Sequence, residues 1–85
     1  MALEILYFAW VREAIGSDAE TVEPPDGVET IGDLIGWLAG RGEGYAEALG
    51  EPGRLRAAID QVFASMETPL GEAREVAIFP PVTGG

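Results

Sequence analysis

The stretch LRAAIDQVFAS (55–65) decides what kind of domain this chain forms. Read with a helical period, Leu55, Ala58, Ile59, Val62 and Phe63 fall on one stripe. Read with a period of two, Leu55, Ala57 and Ile59 alternate, and Asp60-Gln61 stands as a hairpin turn before Val62 and Phe63. The periodicity slightly favours the helix and does not settle the choice. The first answer adds a helix to the domain; the second adds two strands.

The flanking segments are less ambiguous. Downstream, Thr68-Pro69-Leu70-Gly71 is a turn. Glu75 to Phe79 reads as a strand, with Val76 and Ile78 on one face and Ala77 and Phe79 on the other. Pro80 and Pro81 lack the N–H a ladder needs and end it. Upstream, Glu43 to Gly53 reads as a polar loop with at most a turn of helix around Ala46 to Leu49. Glu43, Glu47 and Glu51 are like charges four apart, which weakens a long helix there. They suit a solvated face much better than a carboxylate pair for acid–base work.

The clearest helix starts at Thr30. Thr30 is a good N-cap, Asp33 completes a capping box, and Ile31, Leu34, Ile35, Leu38 and Ala39 form an apolar stripe. Arg41 suits its C-terminal end and Gly42 its cap. Gly32, Gly36 and Gly40 recur every four residues, which codon usage explains more simply than a close helix contact. At the start of the chain, LEILYFA (3–9) reads as a strand apolar on both faces, hence central in a sheet. WVREAIG (10–16) follows as one or two helical turns closed by Gly16. Thr21 to Glu23 is a short strand stopped by Pro24-Pro25-Asp26-Gly27. The order is that of an α+β domain with one main helix packed on a sheet. It spans residues 1–80, with an extended Gly-Gly tail over 81–85.

Composition narrows the function. Eighty-five residues make one small domain, and a hydrophobic content of 47% is too high for disorder. The longest apolar run, Ile5 to Val11, is far short of the roughly 20 residues of a membrane span. Glu4 and the lack of a basic segment argue against a signal peptide, so the expected location is cytoplasmic. There is no cysteine, histidine or lysine. The usual general base, metal ligands, thiol nucleophile and Schiff-base amine are therefore missing, and neither a metal site nor a self-contained enzyme is expected. A codon preference for Ala, Gly and Arg is the plain cause. Fifteen acids against five arginines give a net charge of −10, which disfavours nucleic acid and anionic membrane as partners and suits basic surfaces, although plain solubility accounts for it more simply.

The end of the sequence, FPPVTGG (79–85), is a chemical object in its own right. Pro80-Pro81 stiffen the exit from the strand. Four further residues reach about 13 Å when extended. Gly84 and Gly85 have no Cβ and pass where other residues do not fit. Such a tail delivers a carboxylate into another protein's active site. Activated as an acyl-adenylate, that carboxylate becomes an electrophile, and a sulfur nucleophile converts it to a thiocarboxylate.

EVAIFPPVTGG (75–85) resembles the end of the molybdopterin synthase small-subunit family, the sulfur carriers of molybdenum cofactor synthesis. LYFAWVREAIG (6–16) matches the same family at Phe8-Ala9, Arg12-Glu13 and Gly16, and the helix from Thr30 and the turn at Pro69-Leu70 fall in the expected places. The resemblance covers nearly the whole chain. It implies a ubiquitin-like β-grasp fold, with a mixed sheet, and a strand–turn–strand for residues 55–65. It implies adenylation of Gly85 by an E1-like enzyme that uses ATP, sulfur installation by a donor system, and transfer to cyclic pyranopterin monophosphate in the large synthase subunit. That subunit would supply the catalytic residues, and this chain would bind no cofactor. Pro81, Val82, Thr83 and Gly84 would thread the channel that Gly85 enters. Phe8, Arg12, Phe63 and Phe79 would line the surface met by partners. Taken alone, the three phenylalanines could equally be core and Arg12 a solvated helix charge; Phe79, at the tail's exit, favours the interface. The chain departs from the family in its loops: Asp60 stands where Asn is frequent, and Glu72-Ala73-Arg74 replace an acidic-Gly-Asp turn. Competing readings are a sulfur carrier for thiamin or tRNA thiolation, and an acidic interaction module whose Gly-Gly is incidental.

Overall fold

In the computed structural model the described residues are 2–81. The expected tail residues Val82, Thr83, Gly84 and Gly85 lie outside them.

Residues 55–65 form two strands. β3 (Arg56–Ile59) and β4 (Val62–Ala64) are antiparallel, pairing Ala57 with Ala64 and Ile59 with Val62. Asp60 and Gln61 both take left-handed backbone conformations, φ 48° and 73°, as a tight hairpin turn requires. The Asp60 carboxylate accepts the N–H groups of Arg74 and Glu75, both at 3.0 Å. A carboxylate thus tethers the turn to the strand that follows.

The remaining strands are β1 (Leu3–Tyr7), β2 (Ala19–Val22) and β5 (Glu75–Phe79), giving one mixed sheet in the order β2-β1-β5-β3-β4. β1 and β5 are parallel neighbours at the centre, and the other pairs are antiparallel. β1 is central, as its sequence predicts, but its two faces differ. Leu3, Ile5 and Tyr7 are buried, Leu6 is half-buried, and Glu4 and Phe8 are exposed.

One face of the sheet carries the core. Leu3, Ile5, Tyr7, Val76, Ile78 and Ala57 join Ile31, Leu34, Ile35 and Leu38 of α2 (Ile31–Ala39) in a single apolar cluster. α2 begins with the anticipated capping box: Thr30 Oγ1 accepts the Asp33 N–H, and Asp33 Oδ2 accepts the Thr30 N–H. Such a pair satisfies two otherwise orphaned donors. The helix ends at Ala39, before Gly40, and not at Gly42. Gly42 instead opens α3 (Glu43–Leu49), its carbonyl accepting the Ala46 N–H.

α3 replaces most of the expected polar loop. Its glutamates face outward, while Ala48 and Leu49 are buried. Tertiary packing stabilises a helix that its like charges alone would not. Gly44 permits that packing, because a Cβ there would sit 2.6 Å from the carbonyl oxygen of Ala14. Ala14 belongs to α1 (Ala9–Ile15), which Gly16 closes with φ 88° and an N–H donated to the Arg12 carbonyl. A short 3-10 turn over Pro52–Arg54 leads from α3 into β3.

Candidate partner-docking surface

β5 runs up the middle of the sheet, so the chain leaves the domain from the centre of one pole. That position follows from the parallel register, in which Glu4 pairs with Glu75 and Tyr7 with Ile78. The face of the sheet opposite the helices carries Leu6, Ala77, Ala58 and Phe63. Their register links them side by side from β1 to β4, and Ala19 of β2 extends the row. This apolar band crosses all five strands.

Toward the exit pole the band becomes aromatic. Phe79 is half-buried, and its ring lies 5.9 Å from that of Phe63 at 56°. Tilted pairs at this separation are attractive. Phe63 is 82% exposed and Phe8 46%. Phe8 continues the register beyond Tyr7 and donates its N–H to the Ile78 carbonyl at 3.2 Å. Three phenylalanines therefore stand at the end of β5, and no layer of the described residues covers Phe63 or Phe8. Exposed apolar area of this kind marks an interaction site. Away from the exit the same face turns acidic, because Glu4 and Glu75 stand opposite each other.

Of the expected interface residues, Phe8, Phe63 and Phe79 come together. Arg12 lies on the helix that follows β1. It is exposed on α1 and forms no ion pair among the described residues. Pro81, expected in the threading segment, is half-buried where the described chain ends. Arg56 was not anticipated. It pairs with Phe79 in the register and lines a shallow apolar hollow of about 560 Å³ with Leu55, Phe63 and Met66. The alternation Leu55-Ala57-Ile59 puts Arg56 on the opposite face, and that was the available signal. A second hollow, about 470 Å³ between Pro24, Val28, Leu70 and Ala73, lies at the far pole from the exit.

The other polar cluster lies among the helices. Glu20 Oε2 accepts the hydroxyls of Tyr7 and Tyr45, each at 2.7 Å, and Oε1 accepts Arg41 Nη1 at 3.0 Å. Arg41 also lies over the rings of Trp37 and Tyr45. Partial burial opposes the Glu20 charge, but the hydrogen bonds from Tyr45, Tyr7 and Arg41 outweigh it and hold the carboxyl below its usual range. Burial, then the bond to Glu20, pushes the Tyr7 phenol up; the bond to Glu20 does the same for Tyr45. Glu20 is thereby bound on both carboxylate oxygens from within the domain, so this cluster pins β2 to α3 and to the end of α2. Among the described residues no group of three or more acids is placed to hold a metal ion, and no helix is long and apolar enough to cross a membrane.

Comparison with known proteins agrees with this geometry. Residues 5–85 match the model of the ThiS family. The chain is 42% identical over 83 residues to the molybdopterin synthase sulfur carrier subunit of Escherichia coli (strain K12), covering 98% of this chain and 99% of that one. It is 30% identical to small archaeal modifier protein 3 of Haloferax volcanii, over 100% of both chains. The crystal structure of SAMP1 from Haloferax volcanii superposes over 100% of both chains with a TM-score of 0.74 at 28% identity. The chain thus has the ubiquitin-like β-grasp fold and belongs to the ThiS family, with molybdopterin synthase sulfur carrier subunits among its relatives.

Proposed function

We propose that this chain is the sulfur-carrier subunit of a molybdopterin synthase. The observation that carries the reading is its similarity, over nearly all of both chains, to sulfur carrier subunits of that enzyme. The fold supports it: the central strand β5 ends in an exposed aromatic surface, and the sequence continues from there to Gly85.

The chemistry belongs to the terminal carboxylate. A carboxylate oxygen of Gly85 attacks the α-phosphorus of ATP in an adenylating enzyme, and pyrophosphate leaves. A sulfur nucleophile from a donor system then attacks the acyl carbon. With a persulfide as that nucleophile, a C–S bond forms and the C–O bond to AMP breaks with its electron pair; a second thiol of the donor system then attacks the donor's sulfur of the acyl disulfide, the S–S bond breaks, and a thiocarboxylate and a donor disulfide result. Inside the large subunit this group gives its sulfur to cyclic pyranopterin monophosphate, and two rounds build the dithiolene. This chain's contribution is to bind through Phe8, Phe63 and Phe79, to hold the exit rigid with Pro80-Pro81, and to thread Val82, Thr83 and Gly84. Arg12 makes a separate contact from α1. Catalytic groups come from the partners, since this chain has no histidine, lysine or cysteine.

The test is an intact-mass spectrum after incubation with the adenylating enzyme, ATP and a sulfur donor. Exchange of one oxygen for one sulfur at Gly85 is expected. No exchange, with the enzyme active on another carrier, refutes the reading. Deleting Gly84-Gly85 should leave the fold intact and abolish transfer. The similarity to a small archaeal modifier protein supports a second reading, in which the activated carboxyl passes to an amine of another protein. Adding a lysine-bearing acceptor protein to the same incubation separates them, because that reaction adds a whole polypeptide to the acceptor.

A further inference from the structure

We propose that Arg56 selects the partner of the open sheet face. The large synthase subunit meets it with a carboxylate, and meets Glu4 and Glu75 at the other end of that face with cations. The inference rests on the sulfur-carrier reading and deepens it: it names the chemistry of the partner's surface and the direction in which that surface docks.

Alternation and register place these residues. Ala57 belongs to the core, so its strand neighbours Arg56 and Ala58 take the open face. Three rows then cross that face. Phe8, Phe79 and Arg56 stand at the exit; Leu6, Ala77, Ala58 and Phe63 form the middle; Glu4 and Glu75 stand at the far end. The face therefore runs from a cation through an apolar band to two carboxylates. Its end rows are four residues apart, about 13 Å at a strand's rise. That exceeds the screening length of about 8 Å at physiological salt, so the two ends act as separate patches within a net charge of −10.

Arg56 is set to receive a carboxylate. Its Nη1 donates to the Leu55 carbonyl at 2.8 Å and to the Gly53 carbonyl at 3.5 Å. These bonds hold one arm of the planar guanidinium and leave its other donors without a partner among the described residues. A fork of this kind matches a carboxylate. The one ion pair among the described residues joins Arg41 to Glu20. Glu51 and Glu67, which flank the hollow in sequence, thus do not take up Arg56, and Arg74 takes up neither Glu4 nor Glu75. Arg56 also borders the hollow with Leu55, Phe63 and Met66. A partner that covers those apolar groups excludes water from the pair, which makes it worth more than an exposed bridge.

A second copy of the chain does not suit this face. From its first strand to its last and from exit row to far row, the patch spans roughly 250 Å². Stable association takes about 800 Å² from each partner. Two copies would also bring two charges of −10 together. A large subunit that receives the chain beyond Pro81 has further area to bury. A basic partner suits the other charges of this chain, whereas Arg56 demands an acidic spot within that basic surface. Such opposed demands discriminate against surfaces that are merely basic.

The test is titration calorimetry of the full chain against the large synthase subunit, with urea unfolding to show that each variant stays folded. Arg56→Glu should weaken binding about thirtyfold or more, and Arg56→Ala about tenfold. Glu75→Lys should weaken it about fivefold. Arg74→Glu makes the same change of net charge as Arg56→Glu but at the far pole, and should bind as the parent does or more tightly. Exposed acids of the large subunit are then reversed to lysine one at a time. One reversal should restore Arg56→Glu to within about fivefold of the parent pair. Binding of Arg56→Glu within about threefold of the parent overturns the proposal. An equal loss from Arg74→Glu overturns it too, because net charge would then be the cause, as does failure of every reversal to restore binding. Absence of binding by the parent chain refutes the sulfur-carrier reading and this inference with it, whereas the other adverse results leave that reading standing.

Discussion

Replacing Phe63 with alanine separates a docking residue from a folding residue. A phenylalanine side chain offers about 200 Å² for burial. At 82% exposure, roughly 35 Å² of Phe63 is covered in the free domain. At about 25 cal/mol per Å² that is worth ~1 kcal/mol, to which the tilted contact with Phe79 adds about 0.5–1 kcal/mol. The variant should therefore lose no more than ~2 kcal/mol of stability. The remaining ~165 Å² sets a ceiling of about 4 kcal/mol on what a partner gains by covering it. Interface anchors typically realise about half or more of such a ceiling, so binding should weaken by about 2 kcal/mol, close to thirtyfold. Titration calorimetry against the large synthase subunit measures the second quantity, and urea unfolding the first. Unchanged affinity in a folded variant would refute the docking role. A stability loss well above 2 kcal/mol would show that Phe63 belongs to the fold.

Phe79→Ala should weaken the same association by about 2 kcal/mol, read by the same titration. Gly36→Ala should stabilise the domain by about 1 kcal/mol, near 5 °C in Tm, because the position is exposed in mid-α2 and a Cβ there meets nothing within 4 Å. Gly44→Ala should destabilise by about 1–3 kcal/mol, because its Cβ would force α3 off the Ala14 carbonyl; calorimetric melting distinguishes the two glycines by sign. Glu20→Gln should cost about 1–2 kcal/mol at neutral pH. The Glu20 carboxyl is held below its usual range in the folded state, so its contribution is complete above the unfolded-state value near 4.5 and fades as pH falls through the lower folded value. Urea titrations across that window should show a shallower acid limb for the variant.

What the sequence revealed, and what it hid, follows from how local each signal is. The capping box at Thr30, the left-handed Gly16 and the alternation of Glu75–Phe79 depend on neighbouring residues, and each appears where the sequence puts it. Residues 55–65 carried two local signals, and only a non-local fact separates them. Helical packing of Leu55, Ala58, Ile59, Val62 and Phe63 would bury Val62 and Phe63, yet these are 68% and 82% exposed. Ala57, off that stripe, is 1% exposed because it lies between Ile78 and Ala64 in the sheet. The β5 edge available for pairing decides the segment, and periodicity within eleven residues does not encode that edge. α3 escaped for a related reason. Its glutamates argue locally against a helix, while the burial of Ala48 and Leu49 and the bare Cα of Gly44 against Ala14 argue for it only once α1 is in place.

The docking surface combines both cases. Strand alternation puts Phe79 on the face opposite Val76 and Ile78, but whether that face is covered depends on which side the helices take. They take the side of Leu3, Ile5 and Tyr7, and that choice leaves Phe63 and Phe8 exposed beside the exit of β5. Residues that could have served as core are thereby placed where the tail leaves the domain, and a single arrangement of helices on the sheet supplies both the fold and the surface a partner can grip.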